Sequence, residues 1–294
     1  MTPERARSWK KIATFYALTL AFSALFQFLD RSAPGNVTLI TGVMWCPGAA
    51  ALLTQRLFGE RVRDLGWAWG SGRWQAWAYV VPVLYALPVY LVVWGSGLGG
   101  FYNVDFVAKV AKEYGFAALP LPGAIVGYVL VSMSVGLIPK TARALGEEIG
   151  WRGFLVPELA RVTGFFGVGL ISGLMWAAWH FPAIIFSDYN AGTPVWYALT
   201  CFTVMVVSSA FIAAWLRLRS GSLWPAAIYH GAHNLFVQLI FTPLTTNTGH
   251  TAWYIDEFGV GLALTTLLGA IVVWRRRHEL PAVAEAGETP HAAI

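Results

Sequence analysis

The chain has 294 residues, of which 57% are hydrophobic and only 12% are charged, with a formal net charge of +5 at pH 7. A soluble globular protein carries roughly 25% charged residues, since they must cover its surface. The composition therefore excludes an ordinary soluble domain and indicates a protein that lipid covers over most of its outside. The fifteen Trp and eleven Tyr residues suit the aromatic belts at the two membrane–water interfaces.

Eight stretches are apolar and long enough to cross the hydrocarbon core of a bilayer, which takes about twenty residues. In chain order they are residues 12–29, 37–57, 75–96, 123–141, 163–186, 194–216, 222–241 and 257–274. The fourth is interrupted by Pro139, and the seventh carries polar residues. The pattern predicts an all-α polytopic membrane bundle of about eight transmembrane helices.

The basic residues divide unequally between the predicted loops. All Lys and Arg residues except Arg31, Lys109 and Lys112 fall before the first span, in the second, fourth and sixth loops, or after the last span. Because cytoplasmic loops are enriched in Lys and Arg, both termini are expected in the cytoplasm and the protein in the cell membrane. The positive charge thus reflects topology, and no nucleic-acid partner is expected.

The domain organisation is simple. Residues 1–278 are expected to form one membrane-embedded domain. Residues 279–294, rich in Ala, Glu and Pro, are expected to form a disordered polar tail.

Ionisable side chains are costly inside a membrane, so each one marks a candidate functional site. Glu147 and Glu148 are adjacent in the run GEEIGWRG, just after the fourth predicted span. His180 lies in the fifth span, and His230 and His233 lie in the seventh.

Helical spacing relates these polar residues to their neighbours. Glu148 and Arg152 are four residues apart and can form an ion pair on one helix face. Glu147 points about 100° away and is free of that pair. The four-residue spacing recurs in two further pairs, Trp176 with His180 and His230 with Asn234.

Three helices that bring a carboxylate, imidazoles and an amide into one buried pocket could hold and activate a water molecule for hydrolysis. Other interpretations fit the same residues. Glu148–Arg152 could only lock a helix, Asn234 could join two helices, and a transporter would also use such groups. The residues alone leave hydrolase and transporter equally open.

Three motifs carry a resemblance to a known family. They are Glu147-Glu148-Ile-Gly-Trp-Arg152, Trp176-Ala-Ala-Trp-His180 and His230-Gly-Ala-His-Asn234. In order and separation they are similar to the E-E-x-x-x-R, aromatic-x-x-x-His and H-x-x-x-N motifs of the CPBP family, the CAAX proteases and bacteriocin-processing enzymes also called Abi. The resemblance covers residues from about 123 to 241, and Trp176 stands where the family usually has Phe, which we interpret as a conservative aromatic change.

The resemblance implies an intramembrane endopeptidase that acts on a peptide or protein substrate at the lipid bilayer. It implies that Glu147 is the catalytic base on water, assisted by His180, and that His230 and Asn234 bind a metal or stabilise the oxyanion. Structural or supporting roles are expected for the remaining motif residues, Glu148, Arg152, Trp176 and His233.

Two forms of the site stay open. Glu147, His180 and His230 could hold Zn²⁺ with a vacant position for water. The same groups could instead work without metal, with Asn234 in an oxyanion hole. The alternative functions are a non-proteolytic membrane immunity or scaffold protein, as in relatives that protect bacteriocin producers, and a transporter.

The predicted spans contain one disagreement in depth. A fourth span that ends near residue 141 leaves Glu147 at the membrane edge, whereas His180 lies roughly 25 Å into the fifth span at 1.5 Å per residue. We therefore expect the fourth span to continue past Pro139 and the fifth to start later than Thr163. A short connecting helix is expected at residues 153–165.

Overall fold

The structure, a computed structural model, describes residues 1–30, 36–187 and 189–281. Nine helices fill most of these residues. They are α1 (Pro3–Asp30), α2 (Val37–Leu57), α3 (Gly72–Ser96), α4 (Val104–Glu113), α5 (Leu121–Ala160), α6 (Phe165–Phe186), α7 (Val195–Ser220), α8 (224–244) and α9 (Val260–Arg275). A two-stranded antiparallel ribbon joins β1 (Gly99–Phe101) to β2 (Thr245–Asn247), with Gly100 opposite Thr246.

The all-α polytopic membrane bundle is confirmed. Six of the described helices are long and apolar enough to cross a membrane, namely α1, α2, α3, α5, α6 and α7. Helices α8 and α9 coincide with the seventh and eighth predicted spans but are not among these six. The count of eight spans and the cytoplasmic position of the termini therefore stay predictions.

The C-terminal end of the described chain lies close to the predicted domain boundary. Residues Arg276–Glu279 form a 3-10 turn, and Leu280 packs partly buried against the core. Residues 282–294 of the predicted tail lie outside the described residues, so the tail stays a prediction.

Helix α5 continues through Pro139 and ends at Ala160. Proline has no N–H to donate to the carbonyl four residues earlier and crowds the preceding turn. The wider π-helical turn at Ser132–Gly136, directly before it, accommodates this loss without ending the helix. The extension past Pro139 agrees with the expectation, but the separate connecting helix at 153–165 is wrong.

This continuation also changes the positions of three basic residues. Lys140, Arg143 and Arg152 lie within α5 rather than in a cytoplasmic loop. They therefore no longer support the cytoplasmic assignment of that loop, which rests on the remaining basic residues.

The turn between α5 and α6 brings Glu147 and His180 to a similar depth. The chain reverses at residues 161–164, so the two helices run in opposite directions from this turn. At 1.5 Å per residue, Glu147 lies roughly 21 Å from the turn along α5 and His180 roughly 24 Å along α6. The disagreement in depth is thereby removed.

Glycines allow α2 and α8 to approach α5 backbone to backbone. A Cβ atom at Gly48 of α2 would lie 2.6 Å from the carbonyl oxygen of Gly146. A Cβ atom at Gly231 of α8 would lie 2.7 Å from the Cα atom of Thr141. Only glycine fits at such contacts between helices. These contacts bring Glu147 and Glu148 of α5 beside His230 of α8.

Candidate active site

A cavity of about 430 Å³ lies between α1, α2, α5, α6, α7, α8 and the segment before α9. Its lining includes most of the residues that the sequence singled out, namely Glu147, Trp176, His180, His230, His233 and Asn234. Glu148 and Arg152 do not line it and are 0% and 1% exposed. The two adjacent glutamates therefore lie in different surroundings.

Glu147 is buried and carries a single described hydrogen bond. The indole Nε1 of Trp176 donates to its Oε2 atom at 2.8 Å. A phenylalanine has no N–H and could not make this bond. The interpretation of Trp176 as a simple aromatic replacement is therefore wrong, because its N–H holds the carboxylate of Glu147.

Glu148 lies between a cation and an imidazole. Its Oε1 atom accepts from Nη1 of Arg152 at 2.8 Å and from Nδ1 of His230 at 2.9 Å. The guanidinium of Arg152 also lies over the Trp176 ring, 4.2 Å from its centroid. We call Glu147, Glu148, Arg152, Trp176 and His230 the motif cluster.

Hydrogen bonds determine which nitrogen of His180 and His230 carries a proton. His180 Nδ1 lies 3.0 Å from the carbonyl oxygen of Trp176, which can only accept, so Nδ1 is the donor. By the same reasoning, Nδ1 of His230 donates to the Glu148 carboxylate. The Nε2 atoms of both rings, and the side-chain amide of Asn234, make no hydrogen bond with any other described residue.

The first and third sequence motifs each contain a point where an α-helix changes to a π-helix. Glu147 and Glu148 end the α-helical part of α5 before the π-helical turn Ile149–Leu155. His233 ends the α-helical part of α8 before the turn Asn234–Phe241. A π-helical turn holds an extra residue, which changes the face that later side chains present, and such turns are frequent at functional sites.

A second polar cluster lines the same cavity, and the sequence analysis missed most of it. Glu257 accepts from Nε2 of His233 at 3.1 Å, from the Tyr189 hydroxyl at 2.5 Å and from the Gln238 amide at 3.1 Å. The Tyr85 hydroxyl lies 2.6 Å from His233 Nδ1. Both ring nitrogens of His233 are therefore occupied. We call these five residues the Glu257 cluster.

The hydrogen bonds to Glu257 oppose the effect of its burial. The three donors replace part of the hydration that the carboxylate loses on burial. The adjacent acids Asp256 and Glu257 at the start of the eighth apolar stretch were the signal that could have identified it.

The arrangement of the potential ligands bears on the predicted zinc site. Among the residues that the structure describes, no three His, Cys, Asp or Glu side chains are grouped so that they could hold a metal ion. Glu147, His180 and His230 share a cavity, and the Nε2 atoms of the two imidazoles make no hydrogen bond with any other described residue. Zinc binding stays a prediction.

Residues 123–236 match the model of the family described as Type II CAAX prenyl endopeptidase Rce1-like. We call residues 123–236 the Rce1-like segment. The family resemblance predicted from the three motifs is thereby confirmed. The Rce1-like segment contains the whole motif cluster, whereas Tyr85, Gln238 and Glu257 lie outside it.

A curated relative resembles the same part of the protein. The chain is 30% identical over 101 residues to the CAAX prenyl protease 2 of Methanococcus maripaludis. The alignment covers 32% of this chain and 36% of that protein, so the chain spans about a third of the relative's length. The alignment therefore supports a likeness of the Rce1-like segment and does not by itself establish the activity or substrate of the whole protein.

Proposed function

We propose that this protein is an intramembrane endopeptidase of the CAAX prenyl protease type, which hydrolyses a peptide bond of a membrane-associated substrate. The observation that carries the proposal is one cavity lined by the carboxylate of Glu147, two imidazoles and the amide of Asn234. Within the described part of the chain, this amide and one nitrogen of each imidazole make no hydrogen bond. The match of residues 123–236 to a peptidase family supports it.

In the proposed reaction, Glu147 and His180 hold a water molecule between them. Glu147 takes a proton from the water as its oxygen attacks the carbonyl carbon of the substrate. Positioned general bases contribute roughly 10²–10⁴-fold to a rate. The Trp176 N–H keeps the Glu147 carboxylate in one orientation, so the lone pair that accepts the proton is already directed.

The attack of water on the carbonyl carbon leaves negative charge on the carbonyl oxygen, and hydrogen-bond donors must stabilise that charge in the transition state. The amide of Asn234 is one, and Nε2–H of His230 in its protonated form is the other. Glu148 supplies the negative charge that stabilises this imidazolium through Nδ1. Each such donor contributes roughly 10²–10³-fold. The carbon–nitrogen bond then breaks, and Glu147 returns its proton to the leaving amine.

No step of this scheme depends on a metal. Zn²⁺ held by Glu147, His180 and His230 would supply a more acidic water and a Lewis acid for the carbonyl oxygen. Metal analysis of the purified protein, with assays before and after chelation, tests this alternative.

The deciding variant is Glu147→Gln, which keeps the size of the side chain and removes the base. In detergent or proteoliposomes, cleavage of prenylated C-terminal peptides is expected to fall about a thousandfold. Glu113→Gln is the matched control because Glu113 is an exposed acid on α4, outside the cavity. Cleavage by Glu147→Gln at the wild-type rate would overturn the proposal. A normal biological phenotype in that variant would favour a non-proteolytic immunity protein.

A further inference from the structure

The imidazole of His180 is held by one hydrogen bond and by the aromatic rings around it. Its Nδ1 atom donates to the Trp176 carbonyl oxygen, which fixes one point of the ring. The rings of Trp179 and Phe202 pack against it in T-shaped arrangements, with centroids 4.6 Å and 5.0 Å away. Because the χ2 torsion of histidine has broad minima, packing against the ring decides where Nε2 lies.

Tyr189 packs beside the His180 ring in a near-parallel arrangement. The two ring centroids are 6.4 Å apart and the ring planes differ by 25°. Offset stacking at about 4.5–7 Å is a favoured geometry for aromatic pairs. The other described ring neighbours of His180 belong to helices α6 and α7, whereas Tyr189 follows the end of α6 at Phe186. Tyr189 therefore needs support from elsewhere in the chain.

That support comes from the segment directly before α9. The Tyr189 hydroxyl donates to Oε2 of Glu257 at 2.5 Å. The Tyr189 ring packs at right angles to the ring of Phe258, with centroids 4.9 Å apart. Two adjacent residues of this segment thus hold both the hydroxyl and the ring of the tyrosine.

Helix α8 holds Glu257 in turn. Its Oε1 atom accepts from Nε2 of His233 and from the side-chain amide of Gln238, each at 3.1 Å. The carboxylate is buried, and hydrogen bonds to a charged group away from water are strong. A continuous set of contacts therefore runs from α8 through Glu257 and Tyr189 to the ring of His180.

We propose that Tyr189 is a positioning residue, which holds the His180 imidazole in place while Glu257 holds Tyr189. This inference rests on the proposed endopeptidase function, in which His180 and Glu147 hold the attacking water. Displacement of a catalytic group by about 1 Å can cost about a hundredfold in rate. Tyr189 acts through His180 and not on the substrate, so its loss changes kcat rather than KM.

Tyr189→Phe tests this role with prenylated C-terminal peptides as substrates in proteoliposomes. The variant keeps the ring beside His180 and removes the hydroxyl that Glu257 holds. We expect kcat to fall about tenfold with KM unchanged, because a hydrogen bond to a charged group is lost and the ring can move.

Tyr197→Phe is the matched control. The Tyr197 hydroxyl donates at 2.5 Å to the Trp253 carbonyl oxygen, so it also joins the start of α7 to the segment before α9, but it lies outside the cavity. Both variants lose one hydroxyl hydrogen bond, and thermal unfolding in detergent should shift by a similar small amount. Only Tyr189→Phe should lose kcat. An equal fall in both variants, or a rise in KM without a fall in kcat, would overturn the positioning role.

A second background tests whether Tyr189 acts through His180. In a His180→Ala protein, adding Tyr189→Phe should leave the residual rate, measured over long incubations, unchanged. A further tenfold loss would show that Tyr189 acts by another route and would overturn the proposal.

The endopeptidase function fails or stands separately. A wild-type rate in Tyr189→Phe, with cleavage abolished in Glu147→Gln, would remove the positioning role and leave the endopeptidase standing. Cleavage that survives Glu147→Gln would instead overturn the mechanism on which this inference rests.

Discussion

The two polar clusters on α8 use the same pair of groups in different surroundings. His230 contacts Glu148 at 2.9 Å, and three residues later His233 contacts Glu257 at 3.1 Å. Glu148 is also paired with Arg152 and lies behind the cavity wall, whereas Glu257 receives its other hydrogen bonds from neutral donors and lines the cavity. Arg152 therefore fixes Glu148 in the helix framework behind His230, whereas Glu257 itself borders the cavity.

The largest difference between the two clusters is expected in Glu148→Gln. The substitution removes one charge from a fully buried pair and leaves Arg152 uncompensated, which typically costs about 3–5 kcal/mol. We expect the free energy of unfolding in detergent to fall by this amount, measured by thermal or denaturant unfolding. Wild-type stability together with lost peptidase activity would show that Glu148, rather than Glu147, is the base.

Glu257→Gln tests the other side of the comparison. The amide can still accept from Tyr189, but the charged hydrogen bond that orients His233 is lost. We expect kcat/KM to fall about tenfold, within the range for one charge-assisted hydrogen bond, with a much smaller loss of stability than in Glu148→Gln. If the two variants lose equal stability, the clusters are equivalent and the distinction between them is wrong.

The smallest expected effect comes from Trp176→Phe, which tests the hydrogen bond from Trp176 to Glu147 within the motif cluster. The change keeps an aromatic ring against Arg152 and removes the N–H that holds Glu147. We expect kcat/KM to fall about fivefold, equivalent to about 1 kcal/mol for one hydrogen bond. Trp196→Phe is the matched control because Trp196 is an exposed indole outside the cavity. An equal loss in both variants would remove the role of the Trp176 N–H.

Local patterns in the sequence were sufficient for much of this molecule. Apolar length predicted the six long helices, because a membrane span depends on its own composition. The four-residue spacing predicted the contact of Glu148 with Arg152, because both residues belong to one helix. The three motifs also selected residues that line one cavity.

Other features depend on tertiary packing and could not be predicted locally. The polar residues after Pro139 made the end of α5 resemble a loop, because their partners lie on other helices. Tyr85 and His233 are 148 positions apart in the chain, and no pattern in one segment indicates such a contact. The hydrogen bond from Trp176 to Glu147 likewise required knowledge of how α5 and α6 face each other.

The lining of the cavity has a consequence for comparing relatives. Part of the wall comes from residues outside the Rce1-like segment, namely Gln27, Ile40, Val43, Met44, Gln238 and Glu257. A ligand in the cavity would therefore contact side chains from inside and from outside the Rce1-like segment. Two proteins that share residues 123–236 can thus have differently lined cavities, and exchanging α1 and α2 between them would show what these two helices contribute to ligand selection.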